Sequence, residues 1–319
     1  MRRIAAIDLA RGAALVAMAV YHFAWDLEFF GYVEPGTTAA GGWKLFARAI
    51  ATSFLILAGV SLALAHGKGI RWKPFFRRLA KVGGAAALIS AGTFVAIPND
   101  FIFFGILHQI ALASVLGLAF LRLPAPVTLL AAAATIAAPH FLRSPLFDHP
   151  ALWWVGLSTQ NPHSNDYVPV FPWFGAVLAG IGAARLFVVP LGRLAGREPP
   201  AAFAPLSFAG RHSLAFYLLH QPLLIGALWL FSQLAPPAVP PQDAQFLRAC
   251  QASCLEARTG PFCTTYCGCM LDRLVAAKAL DSIFADAQNT AVQESVQAMA
   301  AACTEETDAE SRQEGGGSP

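Results

Sequence analysis

The stretch Asp8-Leu-Ala-Arg11-Gly12-Ala-Ala-Leu-Val-Ala-Met-Ala-Val-Tyr21-His22-Phe-Ala-Trp25-Asp26 decides the fold. Ten residues without a charge separate Arg11 from His22, and the whole run is long and apolar enough to cross a bilayer, which takes about 20 residues. At 100° per residue, positions 8, 11, 15, 18, 22 and 26 share one helical face, so Asp8, Arg11, His22 and Asp26 form a single polar stripe. An ionisable group inside a span costs at least about 2.5–3.5 kcal/mol on insertion scales. Such groups therefore face a cavity or a partner, and the stripe reads as a site.

The rest of the chain agrees with a membrane class. Of its 319 residues 56% are hydrophobic and 13% charged, with a mean hydropathy of +0.53, which few soluble domains reach. Seven apolar segments qualify as spans, near residues 4–30, 43–65, 79–97, 101–121, 125–141, 168–189 and 206–233, the third and fifth being the shortest. The reading is an all-α, polytopic bundle in the lipid bilayer. Met1-Arg2-Arg3 before an apolar run looks like a signal peptide, but Asp8 and Arg11 within it and six later spans argue against removal. Basic loops stay in the cytoplasm. Lys68, Arg71, Lys73, Arg77, Arg78 and Lys81 follow span 2, and Arg185, Arg193 and Arg197 follow span 6. With Arg2, Arg3 and Arg122 they fall on one side, whereas Lys44, Arg48 and Arg143 fall opposite. The N-terminus is expected inside and the C-terminus outside.

Composition divides the chain into a membrane domain (1–234), a Pro-rich hinge (235–241), a cysteine-rich helical domain (242–303) and a disordered acidic end (304–319). Residues 1–241 carry net +9 (17 Lys and Arg, 8 Asp and Glu), and residues 242–319 carry net −6 (5 and 11). All six cysteines, Cys250, Cys254, Cys263, Cys267, Cys269 and Cys303, lie in the second part. Cys250-x3-Cys254 and Cys263-x3-Cys267 each set two sulfurs one turn apart on a helix, with a helix stop and restart at Gly260-Pro261 between them. Of 15 pairings, the hairpin geometry prefers Cys250 with Cys267, Cys254 with Cys263 and Cys269 with Cys303. An even count on the outer side suits an oxidising compartment. The tail has no His and Cys-Gly-Cys is not a common zinc spacing, so no metal is expected; no nucleic-acid partner is expected either.

Further polar groups sit in the spans. Asp8 can pair with Arg11 at i+3, and Asp26, at i+4 from His22, is placed to orient its imidazole as a general base. His22 lies about 16 Å beyond Arg11 along the axis, toward the outer leaflet. His108 and Gln109 fall in span 4, and span 7 carries Arg211, His212, His220 and Gln221 ahead of Pro222. Each His can also be a helix-to-helix hydrogen bond; their joint appearance with Arg11 favours a site. The outer loop 142–167, with Trp153, Trp154, Gln160, Asn161, Asn165 and Asp166, suits sugar recognition and equally an interfacial aromatic belt.

Arg3-Ile-Ala-Ala-Ile-Asp8-Leu-Ala-Arg11-Gly12, the Arg-x10-His spacing, Gly105-Ile-Leu-His-Gln-Ile-Ala-Leu and Gly210-Arg-His-Ser-Leu-Ala-Phe-Tyr-Leu-Leu-His220-Gln-Pro222 resemble the bacterial relatives of heparan-alpha-glucosaminide N-acetyltransferase over residues 2–233. More distantly the chain is similar to the membrane acyltransferases that O-acetylate bacterial surface polysaccharides. In the lysosomal branch an Asn matches His22 and the catalytic His follows it, but residues 31–42 here contain no His. The polysaccharide branch places Arg and His at Arg11 and His22.

The resemblance implies transfer of acetyl from cytoplasmic acetyl-CoA, a co-substrate, to a hydroxyl or amine of an extracytoplasmic glycan or glycolipid, in a bacterial inner membrane. It implies His22, assisted by Asp26, as catalytic, either as base or as acyl carrier. Asp8, Arg11, His108, Gln109, Arg211, His212, His220 and Gln221 would bind donor or acceptor, with the basic inner loops attracting phosphates. Homo-oligomerisation stays open. The rival class is a transporter or flippase using the His and Arg groups as a proton relay, and a third reading is an anchor that displays the tail.

Overall fold

The computed structural model describes residues 4–67, 69–160, 162–187, 196, 200–238, 241–255, 257–285 and 290–315. Arg2, Arg3, Lys68, Asn161, Arg193 and Arg197 lie outside them. All regular structure among the described residues is helical. The chain forms two compact units, residues 1–237 and 238–319.

The first unit contains α1 (Ala5–Phe29), α2 (Gly41–His66), α3 (Trp72–Ala96), α4 (Ile106–Gly117), α5 (Ala125–Leu142), α6 (Val170–Leu186), α7 (Ala204–Arg211) and α8 (Ser213–Leu234). Helices α1, α2, α3, α5 and α8 are long and apolar enough to cross a membrane, and α4 with its following turn and α6 are shorter apolar helices. The outward faces stay apolar, as in Val95, Phe141 and Leu223, because lipid and not water meets them.

Helix α6 is the most enclosed element, with Phe174, Val177, Leu178 and Ile181 buried between α2 and α5. In lipid, helices associate by close packing, and small residues permit it. A Cβ on Gly59 of α2 would collide with the Val177 carbonyl oxygen, and one on Gly180 of α6 with that of Ile56. The same device joins α1 to α7: a Cβ on Gly12 would meet the Leu206 carbonyl, and one on Gly210 the Asp8 carbonyl. Asp8-x2-Arg11-Gly12 and Gly210-Arg211 are thus two halves of one helix crossing.

Three spans differ from the sequence reading. Helix α3 is not short: it runs over 25 residues from Trp72, with Arg77, Arg78 and Lys81 in its first turns rather than in a loop. Long basic stems cover apolar surface while the charge reaches a polar zone. Helix α4 is the short one, at 12 residues. Its start is fixed by Asp166 of the loop between α5 and α6, whose Oδ2 accepts the Ile106 N–H at 2.8 Å, satisfying a donor that the helix itself cannot. The segment expected to be one span over 206–233 is also two helices, because His212 leaves helical geometry and its Nδ1 lies 3.0 Å from the Phe208 carbonyl.

The second unit contains α9 (Gln242–Cys254), α10 (Gly260–Ala276), α11 (Leu280–Ala285) and α12 (Thr290–Gly315). Disulfides join Cys250 to Cys267, Cys254 to Cys263 and Cys269 to Cys303. Cys263, Cys267, Met270 and Leu274 line the buried stripe of α10 at helical spacing. The end beyond Thr304, read as disordered, is helical to Gly315. The Cys303 bridge anchors α12 against α10, Thr307 one turn on is buried, and Arg273 pairs with Glu306 at 2.8 Å and Arg258 with Asp308 at 3.5 Å.

Candidate active site

The crossing of α1 and α7 holds the first part of the site. Asp8, buried, accepts from Arg11 Nη1 at 3.4 Å, and Arg11 Nη2 donates to the Ser61 hydroxyl of α2. The guanidinium so placed borders a cavity of about 240 Å³ between α1, α2, α3, α4 and α8. Arg78 and Lys81, one turn apart on α3, line it too, with Ser213 and Tyr217 of α8; its other walls are apolar, among them Phe54, Leu57, Val82 and Ile110. Arg78 is close enough to Arg11 for the two cations to repel. Three cations around one small apolar-walled space make an anion site.

The second part lies further along α1 and α8. The rings of His22 and His220 meet edge to face with centroids 4.9 Å apart. His220 Nδ1 is 2.7 Å from the Tyr217 carbonyl oxygen. A carbonyl only accepts, so Nδ1 carries the proton and the neutral ring keeps its lone pair on Nε2. That Nε2 is buried and has no partner among the described residues. One residue on, Gln221 Nε2 donates to Asp26 Oδ1 at 2.6 Å. Asp26 Oδ2 and Gln221 Oε1 are buried and have no partner among the described residues either. All three open atoms are acceptors, a set that suits an incoming N–H or O–H.

Asp26 is therefore not the orienter of His22 that the i+4 spacing predicts. The amide of Gln221 on the facing helix takes its carboxylate instead, and the ring held in a defined tautomer is that of His220. Nor does His22 line the cavity.

The remaining expected site residues disperse. His108 serves the fold: the Gly105 N–H donates to Nδ1 at 3.2 Å, Nε2 lies 3.1 Å from Ser90 Oγ, and Ser90 donates to the Ile102 carbonyl at 2.6 Å. Gln109 is fully buried in α4, neither amide atom has a partner among the described residues, and it does not border the cavity. Arg211 and His212 are exposed at the α7–α8 break, with Arg211 5.8 Å from the Phe208 ring centre. Conversely, Tyr217 and Ser213 were not singled out by sequence, although Ser213, Tyr217 and His220 share one face of α8 at i, i+4 and i+7.

The loop between α5 and α6 is held together by its own bonds. Asp148, its carboxyl held below the ordinary range mainly by hydrogen bonds from Thr159 and Ser158, gathers two short 3₁₀ turns. Tyr167 donates to the Trp153 carbonyl at 2.6 Å. Burial pushes the Asp166 carboxyl up to about 6 against the opposing bond from Ile106.

Fold and site together define a helical bundle of membrane type with a basic cavity and a half-buried imidazole pair, a class suited to group transfer within the membrane. Residues 3–222 match the family described as heparan-alpha-glucosaminide N-acetyltransferase, catalytic. The chain belongs to that family, whose activity is a membrane acetyl transfer. No curated protein and no solved structure matches it.

Proposed function

We propose that the protein transfers acetyl from acetyl-CoA, entering from the cytoplasmic side, to a hydroxyl or amine of an extracytoplasmic glycan or glycolipid. The observation that carries this reading is the convergence of Arg11, Arg78 and Lys81 on one cavity whose other walls, apart from Ser213 and Tyr217, are apolar side chains. Coenzyme A is a polyanion with a flexible, largely uncharged arm, and it needs cations at one end and a dry passage beyond. At about 240 Å³ the cavity is smaller than the roughly 300–1,000 Å³ of whole-ligand pockets. It holds the phosphate end and the start of the arm, with the nucleotide outside.

The thioester is already activated, so the chain must supply a base for the acceptor, groups that position it, and exclusion of water. The His22–His220 pair takes the acceptor proton, through the free Nε2 of His220 with His22 beside it, and Asp26 and Gln221 offer the acceptors that hold the nucleophile. The test is thermal unfolding of the purified full chain with CoA. A ligand at 100 times its Kd stabilises by about 2.7 kcal/mol. Stabilisation is expected in the wild type and lost in Arg78→Gln. His22→Ala should keep it while abolishing transfer from acetyl-CoA. Absence of any CoA effect on the wild type would refute the donor site and favour the transporter class.

A further inference from the structure

Tyr217 touches both halves of the site. Its side chain lines the cavity of Arg11, Arg78 and Lys81. Its ring lies 5.8 Å from that of His220, whose imidazole its own carbonyl orients. On α8 it stands one turn beyond Ser213, about 6 Å along the axis, and about 4.5 Å short of His220. Among the described residues it packs against all three apolar clusters of the bundle, built respectively around α2 and α6, around Leu15, Met18 and Ile50, and around Ala85, Ala86 and Leu107. The ring is therefore locked in place. Its hydroxyl, by contrast, makes no hydrogen bond to any described residue, and Asp166 is close enough to act on it. A phenol fixed by packing and free at its oxygen, midway between a phosphate site and a base, is a preorganised donor.

We propose that the Tyr217 O–H donates a hydrogen bond to the carbonyl oxygen of the bound acetyl thioester and stabilises the charge that develops there during transfer. The proposal rests on the acetyltransferase reading. In the step, the acceptor nitrogen or oxygen forms a bond to the acetyl carbon and gives its proton to the imidazole pair. The carbonyl oxygen gains negative charge in the tetrahedral intermediate, where the Tyr217 bond is strongest. The carbonyl re-forms as the C–S bond breaks, and CoA leaves as a thiolate that takes up the proton. Tyr217 itself loses no proton. Removal of one such donor costs about 10²–10³ in kcat.

The experiment is Tyr217→Phe in the full chain, which keeps the packed ring and deletes only the hydroxyl. Release of CoA from acetyl-CoA is measured with glucosamine, or water, as the probe acceptor, alongside CoA binding and thermal unfolding. The expected result is a fall in kcat of tenfold or more with CoA affinity and melting temperature within error of wild type. A smaller fall, or one carried by KM, would overturn the role of Tyr217 while leaving the acetyltransferase reading intact. If the wild type releases no CoA at all, the reading itself fails and the proposal with it.

Discussion

The pairing of Asp26 with Gln221 can be tested quantitatively. Asp26 is completely buried, its Oδ1 accepts from Gln221 Nε2 at 2.6 Å, and its Oδ2 has no partner among the described residues. Gln221→Met keeps the side-chain length and removes the donor, so the carboxyl loses its one hydrogen bond among the described residues. A bond to a charged acceptor contributes about 1.5–3 kcal/mol, and a buried charge left wholly unpaired costs about 3–5 kcal/mol. A loss of about 2–3 kcal/mol is therefore expected, and at roughly 2–4 °C per kcal/mol for a unit of this size the melting temperature falls by roughly 4–12 °C. Asp26→Leu alone strands the Gln221 amide and costs about 1–3 kcal/mol. The double variant replaces both by apolar groups and should be more stable than the sum of the singles by at least about 1 kcal/mol, since partners in one network do not add. The assay is thermal unfolding of the detergent-solubilised full chain. Additivity of the two single changes to within about 0.5 kcal/mol would show that they do not interact, and the account of the α1–α8 contact would be wrong.

Two further outcomes follow from particular residues. Asp166 carries a carboxyl raised from 3.8 to about 6, so the folded state binds more protons than the unfolded one between those values. Stability should therefore fall as pH rises from about 4 through 6 and level off above; Asp166→Asn, which retains an acceptor for the Ile106 N–H, should flatten that part of the pH dependence in thermal unfolding. Gly59→Ala forces a Cβ onto the Val177 carbonyl, backbone that cannot yield, whereas a Cβ on Gly84 meets nothing within 4 Å. The first should destabilise by about 1–3 kcal/mol and the second should leave the melting temperature unchanged or slightly raised, as read by the same unfolding assay.

Much of the fold was legible because its determinants are local. Seven apolar helices, the cysteine-bearing hairpin and the break in composition before residue 241 follow from hydropathy, period and spacing along a few turns of chain. The misread boundaries share one cause: contacts from elsewhere moved them. Asp166 starts α4, the Gly210 contact with Asp8 and the turn at His212 divide the last span, and the Cys303 bridge holds α12 in a segment whose acidic composition reads as unstructured.

For the site, the sequence alone marked the polar groups that a bilayer would not tolerate without a purpose: His22 meets His220, Asp26 meets Gln221, and Arg11 borders the cavity. It could not assign partners. The i+4 rule paired Asp26 with His22, and the structure pairs it with Gln221, 195 residues away. It left Arg78 and Lys81 in a loop and passed over Tyr217, an ordinary aromatic within an apolar run. Periodicity determines which residues share a face of one helix. Only the packing of helices distant in sequence decides which faces meet, and so whether a buried polar group serves the fold, as His108 does, or opens onto a cavity, as Arg11 and Tyr217 do.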